Sequence, residues 1–129
     1  MSRWALALLL GCGAGCTSSN PGAEGPRIKA AMTEINDTLH RELGRALLEN
    51  RVDWSAAAPL AQRYAALAAD LPRVLPEKGS RDSWQKLSAA FAADAERLQA
   101  MVVAHNKIEA YEAYNSLKKS CPQCHSAHR

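Results

Sequence analysis

Residues 27–49 have the sequence RIKAAMTEINDTLHRELGRALLE, in which apolar side chains recur at steps of three and four residues. That spacing places them on one face of an α-helix. The apolar positions are Ile28, Met32, Ile35, Leu39, Leu43, Ala46 and Leu47. Pro26 stands directly ahead of the segment, where proline is compatible with a helix start. The pattern therefore predicts a first helix over about residues 27–49.

Three further helical segments follow along the chain. The second can be capped by Asp53 or Ser55, and it ends before a cluster of chain breakers. These breakers are Pro72, Pro76 and Gly79. The third begins near Asp82 and ends at a joint at residues 105–106. The fourth continues to the C-terminus, and Pro122 inside it is expected to kink the last turns.

No alternating runs or hairpin dipeptides compete with the helical pattern. The length of 129 residues suits one domain. Four helices with mostly short joints predict an all-α fold, an antiparallel up-down-up-down four-helix bundle over residues 27–129.

The N-terminus has the features of an export signal. Residues 1–11 combine Arg3 with a short apolar run, and Leu9-Leu10-Gly11-Cys12 resembles a bacterial lipobox. We expect cleavage before Cys12 and lipidation of its thiol; Cys16 fits this pattern less well, and an ordinary secretion signal is the alternative. Residues 12–26 are predicted to form a flexible tether. The expected location is the periplasm, on a membrane surface.

The composition excludes one class of partner. The net charge is only +3, and no Lys/Arg run is interleaved with aromatic residues, so nucleic-acid binding is not expected. Aromatic residues make up only 5% of the chain, and much of its apolar content is alanine, which buries little area. Either a large apolar cofactor completes a thin core, or the helices form a tight alanine-rich bundle without one.

Chemistry is concentrated in Cys121-Pro122-Gln123-Cys124-His125, a C-x-x-C-H sequence. Two thiols at this spacing can each bond one vinyl-derived carbon of the same porphyrin, and the histidine that follows can ligate the iron. The sequence therefore predicts one covalent haem c. A dithiol redox pair is the first alternative, although that motif normally follows a strand. A zinc site using His128 is the second, although it lacks an obvious fourth ligand.

The predicted bundle suggests a second iron ligand. The start of the first helix, the joint between the second and third helices, and the end of the fourth helix lie at one end. With a rise of about 1.5 Å per residue, Met32 and His125 each lie within roughly 10 Å of that end. Met32 is therefore the candidate distal ligand, and the alternative is an ordinary core methionine. Met101 and His105 are about 30 Å away, and His40 is roughly 12 Å from Met32.

The same geometry predicts the surroundings of the cofactor. The expected pocket residues are Ile28, Ile35, Leu67, Leu71, Leu75, Trp84 and Leu87. The cations expected at this end, where they could pair with haem propionates, are Arg27, Lys29, Lys78 and Arg129. His128 lies one turn beyond His125, on the proximal side, and cannot reach the distal face.

Over residues 27–129 the sequence resembles the cytochrome c′ group of class II c-type cytochromes, in particular low-spin members with a distal methionine in the first helix. The matching residues are Met32, Cys121, Cys124, His125 and Arg129. It is also similar to short exported cytochromes that share the Leu-Pro, Pro-x-x-Gly and Ser-Trp elements found here within residues 71–84, and the ending at residues 120–129. The group often has an arginine four residues before the distal position, where this chain has Ile28.

The motif and the resemblance imply a one-electron carrier rather than an enzyme, with redox proteins as partners. Surface lysines such as Lys78, Lys118 and Lys119 could attract an acidic partner. If Met32 does not bind the iron, a five-coordinate haem that binds NO or CO is the alternative function. A peroxidase would need a distal acid–base group, and none is evident. Members of such bundle families often pair, so a homodimer is possible.

Overall fold

A computed structural model describes residues 21–129, with side chains from Glu24 onward. In this range about 85% of the residues are helical and no strand occurs, so the all-α prediction is confirmed there. None of the helices in this range is both long enough and apolar enough to span a bilayer. The predicted signal at residues 1–11, Cys12, and residues 12–20 of the predicted tether lie outside the described residues.

The first helix is continuous but not uniform. It consists of α1 (Pro21–Glu34), a π-helical segment (Ile35–His40) and α2 (Arg41–Leu48). It begins earlier than the predicted start near Arg27, and Pro26 therefore lies inside it. The additional turn is held by tertiary contact, because the buried carboxylate of Glu24 accepts a hydrogen bond of 2.6 Å from the backbone N–H of Leu75.

Three more helices complete the chain: α3 (Trp54–Asp70), α4 (Arg81–Val103) and α5 (Lys107–His128). Side chains cap their first turns, and these caps are Asp53, Ser80 and Asn106. Each such cap contributes about 1 kcal/mol to stability. The joint at residues 105–106 is confirmed, since His105 adopts a positive φ of 55° where α4 has ended. α5 continues as α-helix through Pro122.

The core lies between these helices. α4 packs extensively on both α3 and α5, while α2 contacts α3 and α5 and the π-helical segment packs on α3. The fully buried large side chains include Ile35, Leu43, Leu47, Tyr64, Leu98, Val102 and Leu117. Alanines of α3, α4 and α5 fill much of the remaining interior; they are Ala57, Ala61, Ala68, Ala95, Ala110 and Ala113. These small side chains let the helices approach closely, and the core is as aliphatic as the composition predicts.

The α3–α4 connection, residues 71–80, begins with a 3-10 turn (Leu71–Arg73). The indole Nε1 of the buried Trp84 donates to the carbonyl of Leu71 at 3.0 Å and to that of Val74 at 2.8 Å. Gln85 Nε2 donates to the carbonyl of Pro72 at 2.6 Å. The first turns of α4 therefore hold the connection that precedes them.

Gly79 in this connection provides a test of the packing. Its φ is +85°, and a Cβ there would collide with the His128 ring and lie 2.5 Å from the Ala127 carbonyl oxygen. We expect Gly79→Ala to lower the free energy of unfolding by about 1–3 kcal/mol in a urea titration. Gly25→Ala is the matched control, because its Cβ would meet only the movable end of the exposed Glu77 side chain. Equal stability of the two variants would contradict this packing.

Candidate cofactor site

A cleft of about 900 Å³ lies where the first helix, the α3–α4 connection and the end of α5 meet. Its volume falls in the range typical of small-molecule and cofactor sites, about 300–1,000 Å³. Met32 and Ile28 line it from the first helix, and His125 lines it from α5. Trp84 contributes from the start of α4. The two side chains predicted to ligate iron, far apart in the sequence, therefore border one cavity.

The two cysteines of the C-x-x-C-H motif lie on the same helix as His125, four residues and one residue before it, and neither lines the cleft. Both are half-buried free thiols packed against the core. The Cys121 thiol donates a hydrogen bond of 3.3 Å to the carbonyl of Leu117. Burial raises the pKa of the Cys121 thiol, and burial together with the neighbouring Cys121 raises that of Cys124. Both thiols are therefore held in the protonated form at neutral pH.

The other predicted pocket residues are distributed between the cleft and the core. Ile35 is buried in the core and lies outside the cleft lining. Leu67 and Leu71 border a second, smaller cavity of about 250 Å³, which shares Ile28 with the large cleft. Leu75 and Leu87 are partly buried and line neither cavity. The apolar lining contributed by the predicted set is thus Ile28 and Trp84.

Charged side chains surround the cleft. Lys29, Lys78 and Arg129 line it, as three of the four predicted cations. Arg27 instead borders the smaller cavity. Asp37 and Glu77 also line the large cleft. Three cations against two carboxylates leave the rim with a slight positive excess, which favours an anionic ligand group.

His128 attaches the end of α5 to the α3–α4 connection. Its Nδ1 donates to the carbonyl of Lys78 at 2.9 Å, and the Ser83 hydroxyl, 3.0 Å away, donates to Nε2 in the neutral ring. The edge of the ring also meets Trp84, with ring centroids 5.3 Å apart. Both nitrogens are therefore engaged, which leaves the zinc alternative without its proposed histidine. Within the described part of the chain, no three His, Cys, Asp or Glu side chains form a group that could hold a metal ion.

Comparison of the chain with protein-family models, with curated proteins and with solved structures found no significant match. The interpretation of the cleft therefore depends on the geometry and chemistry of its own residues.

Because His40 lies two turns beyond Met32 on the first helix, the sequence predicts only a structural or solvent-facing position for it. The structure places its ring between two tyrosines of other helices. Its Nδ1 lies 3.3 Å from the Tyr64 hydroxyl, and its ring stacks on Tyr114 with centroids 4.3 Å apart. Burial is the main cause that lowers the pKa of His40. No short-range pattern links these three positions, so the sequence alone could not reveal the cluster.

The thiols provide a test of the site in the protein without cofactor. Because a raised pKa keeps less thiolate at pH 7, we expect Cys121 and Cys124 to be alkylated more slowly than an exposed thiol, and their rates to rise at higher pH. The measurement is the rate of iodoacetamide labelling against pH. Cys12 and Cys16 are replaced by serine throughout. A Ser126→Cys change, with Cys121 and Cys124 also replaced by serine, supplies the exposed control, since Ser126 is exposed on the same turn. Equal rates at pH 7 would contradict half-burial of the thiols.

Proposed function

We propose that this chain is a c-type cytochrome, a one-electron carrier with one haem bonded to Cys121 and Cys124 and ligated by His125 and Met32. The observation that carries the proposal is that Met32 and His125 border the same cleft, and that both free thiols lie within the four residues of α5 that precede His125. A thioether and an imidazole are ligands that haem iron accepts in electron-transfer proteins. Bound in this way, the haem supplies a one-electron iron couple.

The residues present fit that group. The cleft has a volume suited to a cofactor, and Ile28 and Trp84 provide apolar lining. The half-buried, protonated thiols of Cys121 and Cys124 are free to form thioethers. The three requirements of a covalent haem site, which are attachment, ligation and apolar enclosure, therefore have candidates in one region.

Within this proposal the four helices form an antiparallel up-down-up-down bundle with the haem near one end. Packing of α4 on both α3 and α5, and the contacts of α2 with α3 and α5, support the arrangement. The cleft also supports this arrangement, because its lining residues come from the first helix, the α3–α4 connection and the end of α5. An up-down connection of four helices would bring those three parts to the same end.

The cations at the cleft have a role in this proposal. Lys29, Lys78 and Arg129 line the cavity and would pair with the carboxylates of the cofactor. They would take the place of the arginine that the cytochrome c′ group often has where this chain has Ile28. Asp37 and Glu77 in the same lining would orient the cationic side chains.

The remaining parts of the proposal concern location and partners. A six-coordinate iron with two protein ligands needs no substrate, so the chain would act on redox proteins and not as an enzyme. Lipidation at Cys12 would keep it at a membrane surface in the periplasm, near its electron donors and acceptors. A homodimer is compatible with this function.

Optical spectroscopy of the protein produced with haem-maturation machinery tests the proposal. For the wild type we expect a haem that stays with the denatured chain, sharp bands when reduced, the weak red band of thioether ligation when oxidised, and no change on addition of CO. Met32→Ala should bind CO because its sixth position is open. Met101→Ala is the control, since Met101 lies in α4 outside the cleft lining and should leave the wild-type spectrum unchanged.

Two outcomes would change the interpretation. Ready CO binding by the wild type would remove Met32 as a ligand and favour the five-coordinate NO- or CO-binding function. Absence of covalently bound haem would overturn the proposal as a whole.

A further inference from the structure

His40, Tyr64 and Tyr114 form a compact group, here named the His40 cluster. His40 is the last residue of the π-helical segment, Tyr64 belongs to α3, and Tyr114 belongs to α5. The imidazole contacts the Tyr64 hydroxyl through Nδ1 at 3.3 Å and stacks on the Tyr114 ring at an angle of 19°. Gly44 makes the approach possible, since a Cβ there would collide with the Tyr114 hydroxyl. Three helices thus converge on one titratable ring.

The cluster lies beside the proposed haem attachment site. Tyr114 precedes Cys121 by seven positions on α5, two turns along the same helix face and about 10 Å apart, and both side chains pack against the buried core to which Tyr64 belongs. His40 follows Met32 by eight positions on the same helix, six of them in the π-helical segment, so the two residues are separated along the helix axis by no more than about 12 Å. His40 does not line the cleft that the two proposed ligands border, so within the proposed function the charge of the iron would affect its imidazole although the imidazole does not ligate the iron.

We propose that His40 is a proton-binding site coupled to the haem, so that reduction of the iron is accompanied by proton uptake on its imidazole. This inference rests on the proposed function. A redox partner supplies one electron, which reduces the ferric iron to ferrous, and solvent supplies one proton, which converts the imidazole to imidazolium. The net charge of the protein is unchanged by the coupled step, which is the electrostatic reason for the coupling.

The hydrogen bond with Tyr64 can accommodate both forms of the ring. In the neutral form the Tyr64 hydroxyl donates to Nδ1, and the ring proton is on Nε2. In the charged form Nδ1 carries a proton and donates to the Tyr64 oxygen, so the bond reverses without being lost. Burial raises the pKa of Tyr64, which keeps the phenol protonated. The exchangeable proton therefore belongs to His40.

The surroundings favour a neutral ring in the oxidised protein. Partial burial is the first cause that lowers the pKa of His40, and the positive charge of Lys118 on α5 is the second. Tyr64 faces the ring from α3, and Tyr114 faces it from α5, where the neighbouring Cys121 would be uncharged as a thioether. On its own helix the exposed Asp37 and Arg41 flank it with opposite charges. If the iron were about 12 Å from the imidazole, loss of one positive charge there, at an effective dielectric constant of about 20, would raise the proton affinity of His40 about tenfold.

The other histidines are less suited to this role. His125 is the proposed ligand, and both nitrogens of His128 are engaged with Lys78 and Ser83. His105 stacks on Trp54 at the joint between α4 and α5. In this fold only His40 combines partial burial, a neutral hydrogen-bonding partner and proximity to the motif.

The test is the reduction potential of the haem-loaded protein between about pH 5 and about pH 8. We expect the wild-type potential to fall as pH rises, most steeply midway between the pKa values of His40 in the oxidised and reduced protein. A tenfold difference in proton affinity limits that slope to about 30 mV per unit, half of the roughly 59 mV expected for one proton per electron. His40→Gln keeps a hydrogen-bonding side chain that does not titrate and should flatten this dependence. His105→Asn is the control, because asparagine tolerates positive φ, and it should behave as wild type.

Two further measurements keep the test decisive. NMR titration of the His40 ring should give a proton affinity about tenfold higher in the reduced than in the oxidised protein. Tyr64→Phe retains the imidazole and should shift the pH range of the coupling without abolishing it. Equal affinities in the two states, or a wild-type slope retained in His40→Gln, would overturn the inference while the haem spectrum stays intact. Failure of the proposed function would appear separately, as absence of covalent haem.

Discussion

The indole of Trp84 donates to two backbone carbonyls, those of Leu71 and Val74, and thereby attaches the start of α4 to the connection that precedes it. Two other parts of the chain hold the same connection. The carboxylate of Glu24, in α1, accepts a hydrogen bond from the backbone N–H of Leu75, and the ring of His128, in α5, donates one to the carbonyl of Lys78. Each bond contributes only about 1 kcal/mol. Their joint effect is geometric, because three distant segments are brought to one place and the cleft lies between them. The relative positions of its walls depend on this connection more than on any single core contact.

Local signals predicted much of this arrangement. The cap at Asp53, the joint at residues 105–106 and the breaks around Gly79 are encoded by residues close to the positions they affect, and the structure has helix ends there. The early start of the first helix was not predictable in the same way. A proline normally marks a helix start, but here Glu24, two residues earlier, is held by the distant Leu75 N–H. Tertiary contact therefore extended a helix that local rules would have begun later.

The site was predictable at the level of its main side chains and less so at the level of its walls. A motif and a helix-rise estimate were enough to assign Met32 and His125 to one end, and both border the cleft. The same estimate could not separate Ile35, which turns into the core, from Ile28, which lines the cavity. That distinction depends on rotation about the helix axis. It also explains why His40 was underestimated, since the π-helical segment changes that rotation within the helix.

The π-helical segment has a consequence for how the chain could vary in evolution. A π turn accommodates one residue more than the α turn it replaces, and one residue corresponds to a rotation of about 100° around an α-helix. The α-helical spacing of the residues before Ile35 is therefore offset by one position from that of the residues after His40, although both belong to one continuous helix. Deletion of a single residue in this segment could restore a regular α-helix and leave the face that carries Met32 in place, because the π turn already absorbs the extra residue. The π-helical segment can therefore lose one residue more easily than the α-helical parts of the first helix, where a deletion would rotate one flank by about 100° away from its contacts.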